Sequence, residues 1–167
     1  MTDADRTATP STTDKIRIAA LFLGLSALVS LIGGAVTASS VGSWYLALEK
    51  PAFNPPNWVF GPVWTLLYIA MAGAAWRVWR TCGFGGAGAA FALYSLQLAL
   101  NLGWSITFFG LQHIGWALIE IGFLLAAVLA TGVAFWARDR IAGLLFVPYA
   151  AWVAFAALLN YALWRLN

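Results

Sequence analysis

From Ile18 to about residue 38 every side chain is uncharged and most are apolar, close to the roughly 20 residues that an α-helix needs to cross about 30 Å of hydrocarbon. The pattern recurs. Apolar runs at about 58–79, 87–109, 114–136 and 141–164 predict four further spans, so the chain reads as an all-α membrane protein, a bundle of five transmembrane helices. The segment between the first two spans, 39–57, carries Glu49, Lys50 and the prolines Pro51, Pro55 and Pro56. Proline lacks an amide proton and clashes with the preceding helical turn, which predicts a stiff loop outside the membrane. Asn57 is placed to cap the second span, and Pro62 falls in its first turn, where a missing donor costs little. Residues 81–137 carry a single charge, Glu120, over a length that suits two crossings, with the hairpin at Gly110-Leu111-Gln112-His113. Residues 1–14 have almost nothing to bury and are expected to form a mobile polar tail, leaving 15–167 as one transmembrane domain. Lys15 and Arg17 ahead of the first run also fit a secretory signal peptide, but the run exceeds the usual apolar core of about 7–15 residues.

Composition supports the same solvent. The chain is 62% hydrophobic and 9% charged with a mean hydropathy of +0.82, whereas soluble domains run at about 45–50% apolar and about 25% charged. Its basic residues are bunched between the apolar runs, so the pI near 9.4 does not describe a nucleic-acid-binding face, and no nucleic-acid partner is expected. With five crossings, Arg6, Lys15, Arg17, Arg77, Arg80, Arg138 and Arg140 fall on the side of the N-tail, against Lys50 and Arg165 opposite. The positive-inside rule then puts the N-terminus in the cytoplasm and the proline-rich loop outside, for a bacterial inner membrane. One cysteine, Cys82, and one histidine, His113, leave no intramolecular disulfide, no metal site and no imidazole relay. The sequence offers no close acid pair, no nucleophile with an assignable base and no phosphate-binding glycine loop, so no catalytic residue is assigned. Inverted halves of the kind found in secondary transporters are also missing.

What remains for chemistry is the set of polar and aromatic side chains at bilayer depth. On the third span Tyr94, Gln97, Asn101, Trp104, Ser105 and Phe108 recur at spacings of three and four and form one stripe. Tyr149, Trp152, Ala156, Leu159 and Asn160 do so on the fifth span, Trp116, Glu120 and Phe123 on the fourth, and Phe60, Trp64 and Tyr68 on the second. Four spans are thus expected to turn indoles, phenols and amides toward a common interior, a lining suited to a large flat apolar ligand held by stacking and a few hydrogen bonds. Trp44, Trp58, Trp79, Trp136 and Trp164 lie near span ends and read as packing or interfacial-belt residues. Glu120 is the one acid inside a span and a candidate by that position alone; His113 belongs to the hairpin.

The runs WYLALEKPAFNPPNWVFGPVWTLLYIAM (Trp44 to Met71), LYSLQLALNLGWSITFFG (Leu93 to Gly110), GWAL (Gly115 to Leu118) and VPYAAWVAFAALLNYALWRLN (Val147 to Asn167) resemble the TspO/MBR family of bacterial tryptophan-rich sensory proteins and mitochondrial translocator proteins. The resemblance covers nearly everything after the N-tail and implies a five-helix bundle, often a homodimer, in a bacterial inner or outer membrane or the mitochondrial outer membrane. It further implies a pocket near the first loop for porphyrins, for benzodiazepine-like and isoquinoline drugs and, in animals, for cholesterol. No obligatory cofactor is implied, and a protoporphyrin-like molecule would enter as ligand. Carried over by motif, the ligand-contacting tryptophans are Trp64 and Trp152, with Asn101 and Trp104 beside them. Further pocket positions are Phe60, Gly61, Val63, Trp116, Ile119, Phe123, Ala156 and Leu159, to which the helix pattern adds Tyr68. Some family members break down porphyrin in light, which makes Trp64 and Trp152 the expected participants. Leu159, Tyr161 and Arg165 fit the weak sterol pattern. The resemblance leaves sensing, degradation and transport of porphyrins or lipids as three expectations for the function.

Overall fold

The computed structural model describes residues 11–167, and the expected tail at 1–10 lies outside the described residues. Helix α1 (Thr12–Val41) starts inside the stretch expected to be tail, because Ser11 and Asp14 form a reciprocal capping box that satisfies donors otherwise left open at a helix start. A short turn, α2 (Trp44–Ala47), and a 3₁₀ turn at Asn57–Val59 interrupt the proline-rich loop. Asn57 makes no side-chain cap; α3 (Phe60–Gly86) continues directly from the 3₁₀ turn, which already supplies the first helical carbonyls. The second span also runs past Arg80, bending at Gly83, whose φ of +61° only glycine adopts at no steric cost. Helix α4 (Gly88–Ser105) passes into a π-helical turn, Ile106–Gly110, and α5 covers Ile114–Trp136. The hairpin between them places Gln112 at φ +59°. The last span is broken into α6 (Arg140–Leu145) and α7 (Val147–Leu166), with Pro148 in the first turn of α7, where its missing amide proton is harmless.

The described residues contain five helical segments long and apolar enough to cross a bilayer. They close into a ring in the order α1, α3, α6–α7, α5, α4 and back to α1. Leu21, Leu25, Leu28, Leu66, Ile69, Leu129, Val133 and Leu158 are exposed on the outside of the ring. A bilayer, unlike water, imposes no penalty on such a surface. Inside, one large core of small and aromatic side chains, including Met71, Ala74, Val78, Tyr94, Leu124, Val128, Phe146 and Val153, fills the end near the N-terminus of α1. A smaller cluster, Tyr45, Phe108, Ala117, Leu159 and Leu163, sits under the proline-rich loop at the other end.

Two ties fix the ends. Near the start of α6, Arg77 holds Asp139 through Nε at 3.2 Å and Nη2 at 2.9 Å, while Asp139 also accepts the Ala142 amide at 2.9 Å and so caps α6. Partial burial pushes the Asp139 carboxyl upward, but the Arg77 and backbone hydrogen bonds outweigh it and hold it below the ordinary 3.8. A carboxyl lowered on folding contributes stability above its unfolded value, and that contribution is lost as pH falls through the folded value. Asp139→Asn is therefore expected to melt below the wild type at neutral pH, with the gap closing only below about pH 3.8, as followed by circular dichroism. At the other end the Asn167 side chain donates to the Glu49 carbonyl and accepts the Glu49 amide, both at 3.0 Å, clasping the loop to α7. Each such exposed bond is worth at most about 1 kcal/mol. Asn167→Ala is thus expected to speed amide exchange across 44–57 by roughly fivefold without moving the global melting temperature.

Candidate functional site

Between the two cores lies a cavity of about 360 Å³. Its aromatic walls come from Phe60, Trp64 and Tyr68 on α3, Trp104 and Phe108 at the end of α4, and Trp152 on α7. Phe60 packs edge-to-face on Trp152 at 5.9 Å, Trp64 leans on Tyr68 at 5.8 Å and on Tyr149 at 6.2 Å, and Trp104 stacks on Phe108 at 5.2 Å. The π-helical turn matters for that last pair. Its Leu111 amide reaches back to the Ile106 carbonyl at 2.8 Å, and the added residue in the turn lets both Phe108 and Phe109 line the cavity.

The floor is polar. Tyr68 Oη donates to Asn101 Oδ1, Asn101 Nδ2 donates to Tyr149 Oη at 3.1 Å, and Tyr149 Oη donates to Gln97 Oε1 at 3.0 Å. All four residues are buried, so these groups exchange among themselves the bonds that hydrocarbon cannot supply. A second relay ties the wall to the hairpin: Trp104 Nε1 donates to Asn160 Oδ1 at 3.1 Å, and Asn160 Nδ2 donates to the Ile114 carbonyl at 2.9 Å. Of three buried donors with no partner among the described residues, two belong to this region, Gln97 Nε2 and Trp152 Nε1; the third is Arg138 Nε.

Of the residues singled out from sequence, Phe60, Gly61, Trp64, Tyr68, Asn101, Trp104, Trp152, Ala156 and Leu159 line this one cavity. Val63 is half-buried and packs into the large core instead. The fourth span does not contribute, a correction to the four-span interior expected above. Trp116, Ile119 and Phe123 are 69%, 54% and 64% exposed and form, with His113 and Glu120, a shallow groove on the outside of α5. The face of α5 that does turn inward is Ala117, Ile121, Leu124, Val128 and Phe135, one residue further round the helix. Glu120 lies against Gly103 of α4, where a side chain would collide with its carboxyl. Leu159 and Tyr161 point to different sides, Leu159 to the cavity and Tyr161 outward. Among the end tryptophans, Trp58, Trp136 and Trp164 are exposed, whereas Trp79 is buried in the core and Trp44 packs on Phe108.

The first span supplies what the fourth does not. Ser30, Gly33, Gly34, Thr37, Ala38 and Val41 of α1 line the cavity, and the signal was present as small or hydroxylated residues at 26, 30, 33 and 37, a helical stripe in an otherwise bulky run. Gly34 and Ala38 of α1, with Gly61 and Thr65 of α3, are exposed at the cavity rim. The cavity therefore opens sideways between α1 and α3, at a level a bilayer would surround. Tyr45 and Asn57 close its top from the loop, where Tyr45 Oη donates to Asn54 Oδ1 at 2.8 Å and Lys50 Nζ sits 5.0 Å over the Tyr45 ring.

Comparison with known proteins agrees with this architecture. Residues 22–165 match the TspO/MBR family model. The chain is 44% identical to the translocator protein of Homo sapiens over 126 residues, covering 74% of this chain and 75% of that one. It is 42% identical to the tryptophan-rich protein TspO of Archaeoglobus fulgidus over 139 residues, 83% of this chain and 90% of the relative. With protein CrtK of Rhodobacter capsulatus it shares 41% over 129 residues, 77% and 81% of the two chains. This chain, a multi-pass integral membrane protein with five spans among its described residues, belongs to the TspO/MBR family.

Proposed function

We propose that the protein is a membrane receptor for porphyrins and related flat hydrophobic molecules, binding them in the cavity between α1, α3, α4 and α7 and reporting on tetrapyrrole supply or stress. One observation carries the reading: three indoles, Trp64, Trp104 and Trp152, share a cavity with the amides Asn101 and Asn160 at bilayer depth, behind a rim of small residues. A volume of about 360 Å³ falls in the range of about 300–1,000 Å³ typical of small-molecule sites. A macrocycle enters edge-first through the α1–α3 mouth, stacks on the indoles and leaves its polar substituents toward the loop. The names of relatives, translocator protein and tryptophan-rich sensory protein, speak for translocation and for sensing respectively. The packed floor favours the second: below the Tyr68–Asn101–Tyr149–Gln97 network, Met71, Ala74, Tyr94 and Val128 are almost fully buried, so the cavity ends on close-packed side chains there.

Titration of protoporphyrin into the protein in nanodiscs, followed by tryptophan fluorescence, tests the proposal. Saturable quenching at one porphyrin per chain is expected; quenching that rises linearly, as for porphyrin dissolved in lipid, would count against it. Illumination of the complex separates binding from degradation, since catalysis requires a product that free porphyrin does not give under the same light.

A further inference from the structure

At the end of the bundle away from the aromatic cavity, a small polar depression of about 170 Å³ opens beside α3, lined by Arg77, Arg80, Thr81 and Asp139. From this geometry we infer a binding site for a phosphate group, supplied by the headgroup of an anionic phospholipid.

Charge comes first. Two guanidinium groups face one carboxylate, leaving one positive charge in excess. The Asp139 pair occupies Nε and Nη2 of Arg77; Nη1 has no hydrogen-bond partner among the described residues. Arg80 lies 4.7 Å over the Trp76 ring and forms no ion pair among the described residues. Stacking uses the face of a guanidinium and leaves its edge donors free, the arrangement that presents Arg to a phosphate. Thr81 only walls the depression, because its hydroxyl donates to the Arg77 carbonyl at 3.0 Å.

Position decides the source. Trp76 Nε1 donates to the Lys15 carbonyl at 3.0 Å, which ties the start of α1 to α3 one turn from Arg80. The depression thus sits among the basic residues of the arginine-rich side, at the depth of lipid headgroups. From Arg77 the same stripe of α3 descends through Gly73 to the exposed Ile69 and Leu66, and α6 presents exposed Ile141 and Leu144 just past Asp139. A lipid phosphate held at the arginines has apolar flanks for its acyl chains; inorganic phosphate has no use for them.

Native mass spectrometry of the protein from neutral detergent, with phosphatidylglycerol or phosphatidylcholine added, tests the site. Phosphatidylglycerol is expected to be retained preferentially, and Arg80→Gln to weaken that retention by about fivefold, the effect of roughly one basic residue near an anionic surface. Arg165→Gln, at the opposite end, is expected to change nothing. Equal retention of the two lipids, or equal loss in both variants, overturns the inference. A melting-temperature shift with inorganic phosphate that is lost in Arg80→Gln, without any preference for phosphatidylglycerol, overturns the lipid source. Unchanged protoporphyrin titration in Arg80→Gln shows that the variant is folded and keeps this result separate from the receptor reading.

Discussion

Trp152→Ala is expected to weaken protoporphyrin binding by roughly thirtyfold, the consequence of losing about 2 kcal/mol when a buried aromatic anchor is truncated at the centre of a site. The indole of Trp152 lines the cavity, held edge-to-face by Phe60 at 5.9 Å and tilted against Phe155 at 5.6 Å. Removing it deletes a stacking surface and lets Phe60 collapse into the space. Trp152→Phe separates stacking from hydrogen bonding. The Trp152 N–H has no partner among the described residues, so phenylalanine loses no hydrogen bond and removes an unsatisfied donor. That variant is expected to melt no lower than the wild type and to retain most of the affinity. If Trp152→Phe binds as poorly as Trp152→Ala, stacking is not the source of affinity. The comparison is made by equilibrium titration and by melting followed with circular dichroism.

Asn101→Leu is expected to cost about 2–3 kcal/mol of stability, because it orphans the Tyr68 hydroxyl and removes one of the partners of Tyr149 at a depth where water offers no replacement. The side chain keeps its volume, so the loss comes from hydrogen bonding and not from a cavity. Single interhelical hydrogen bonds in membrane proteins average nearer 0.6 kcal/mol. The larger figure follows because one amide serves two hydroxyls that link α3, α4 and α7. Adding Tyr68→Phe to Asn101→Leu removes one of the orphaned groups and is expected to recover part of the loss, whereas independent contributions would make the double variant worse. Unfolding in mixed micelles of increasing denaturing detergent measures all three.

The spans were legible in the chain because about twenty apolar residues in a row admit few other readings, and the inward faces of α4 and α7 because an amide among apolar side chains has only one sensible direction to point. The phase of α5 was not. Nearly every position of that helix is apolar, so a stripe through Trp116, Glu120 and Phe123 and one through Ala117, Ile121 and Leu124 differ by a rotation of about 100° with nothing in the pattern to choose between them. Packing chose: Ala117 and Val128 are fully buried, and Gly103 makes room for the Glu120 carboxyl at the side of α4. The contribution of α1 was overlooked for the opposite reason. Its lining residues are small, and a wall made of glycine, serine and threonine announces itself only through the bulk that is missing. The break near Phe146 lies inside an apolar run and follows from backbone geometry that hydropathy does not record, whereas Gly83 falls between the expected second and third spans, in a stretch that the helix enters by running past Arg80.

The most direct measurement is an experimental structure of the protein with protoporphyrin bound in a lipid environment. The macrocycle is expected between Trp64 and Trp152, above Asn101, with its edge at the mouth between Gly34 and Gly61. Density for the porphyrin on the outer face of α5, against Trp116 and Phe123, with the inner cavity empty or filled by lipid, would contradict the receptor account.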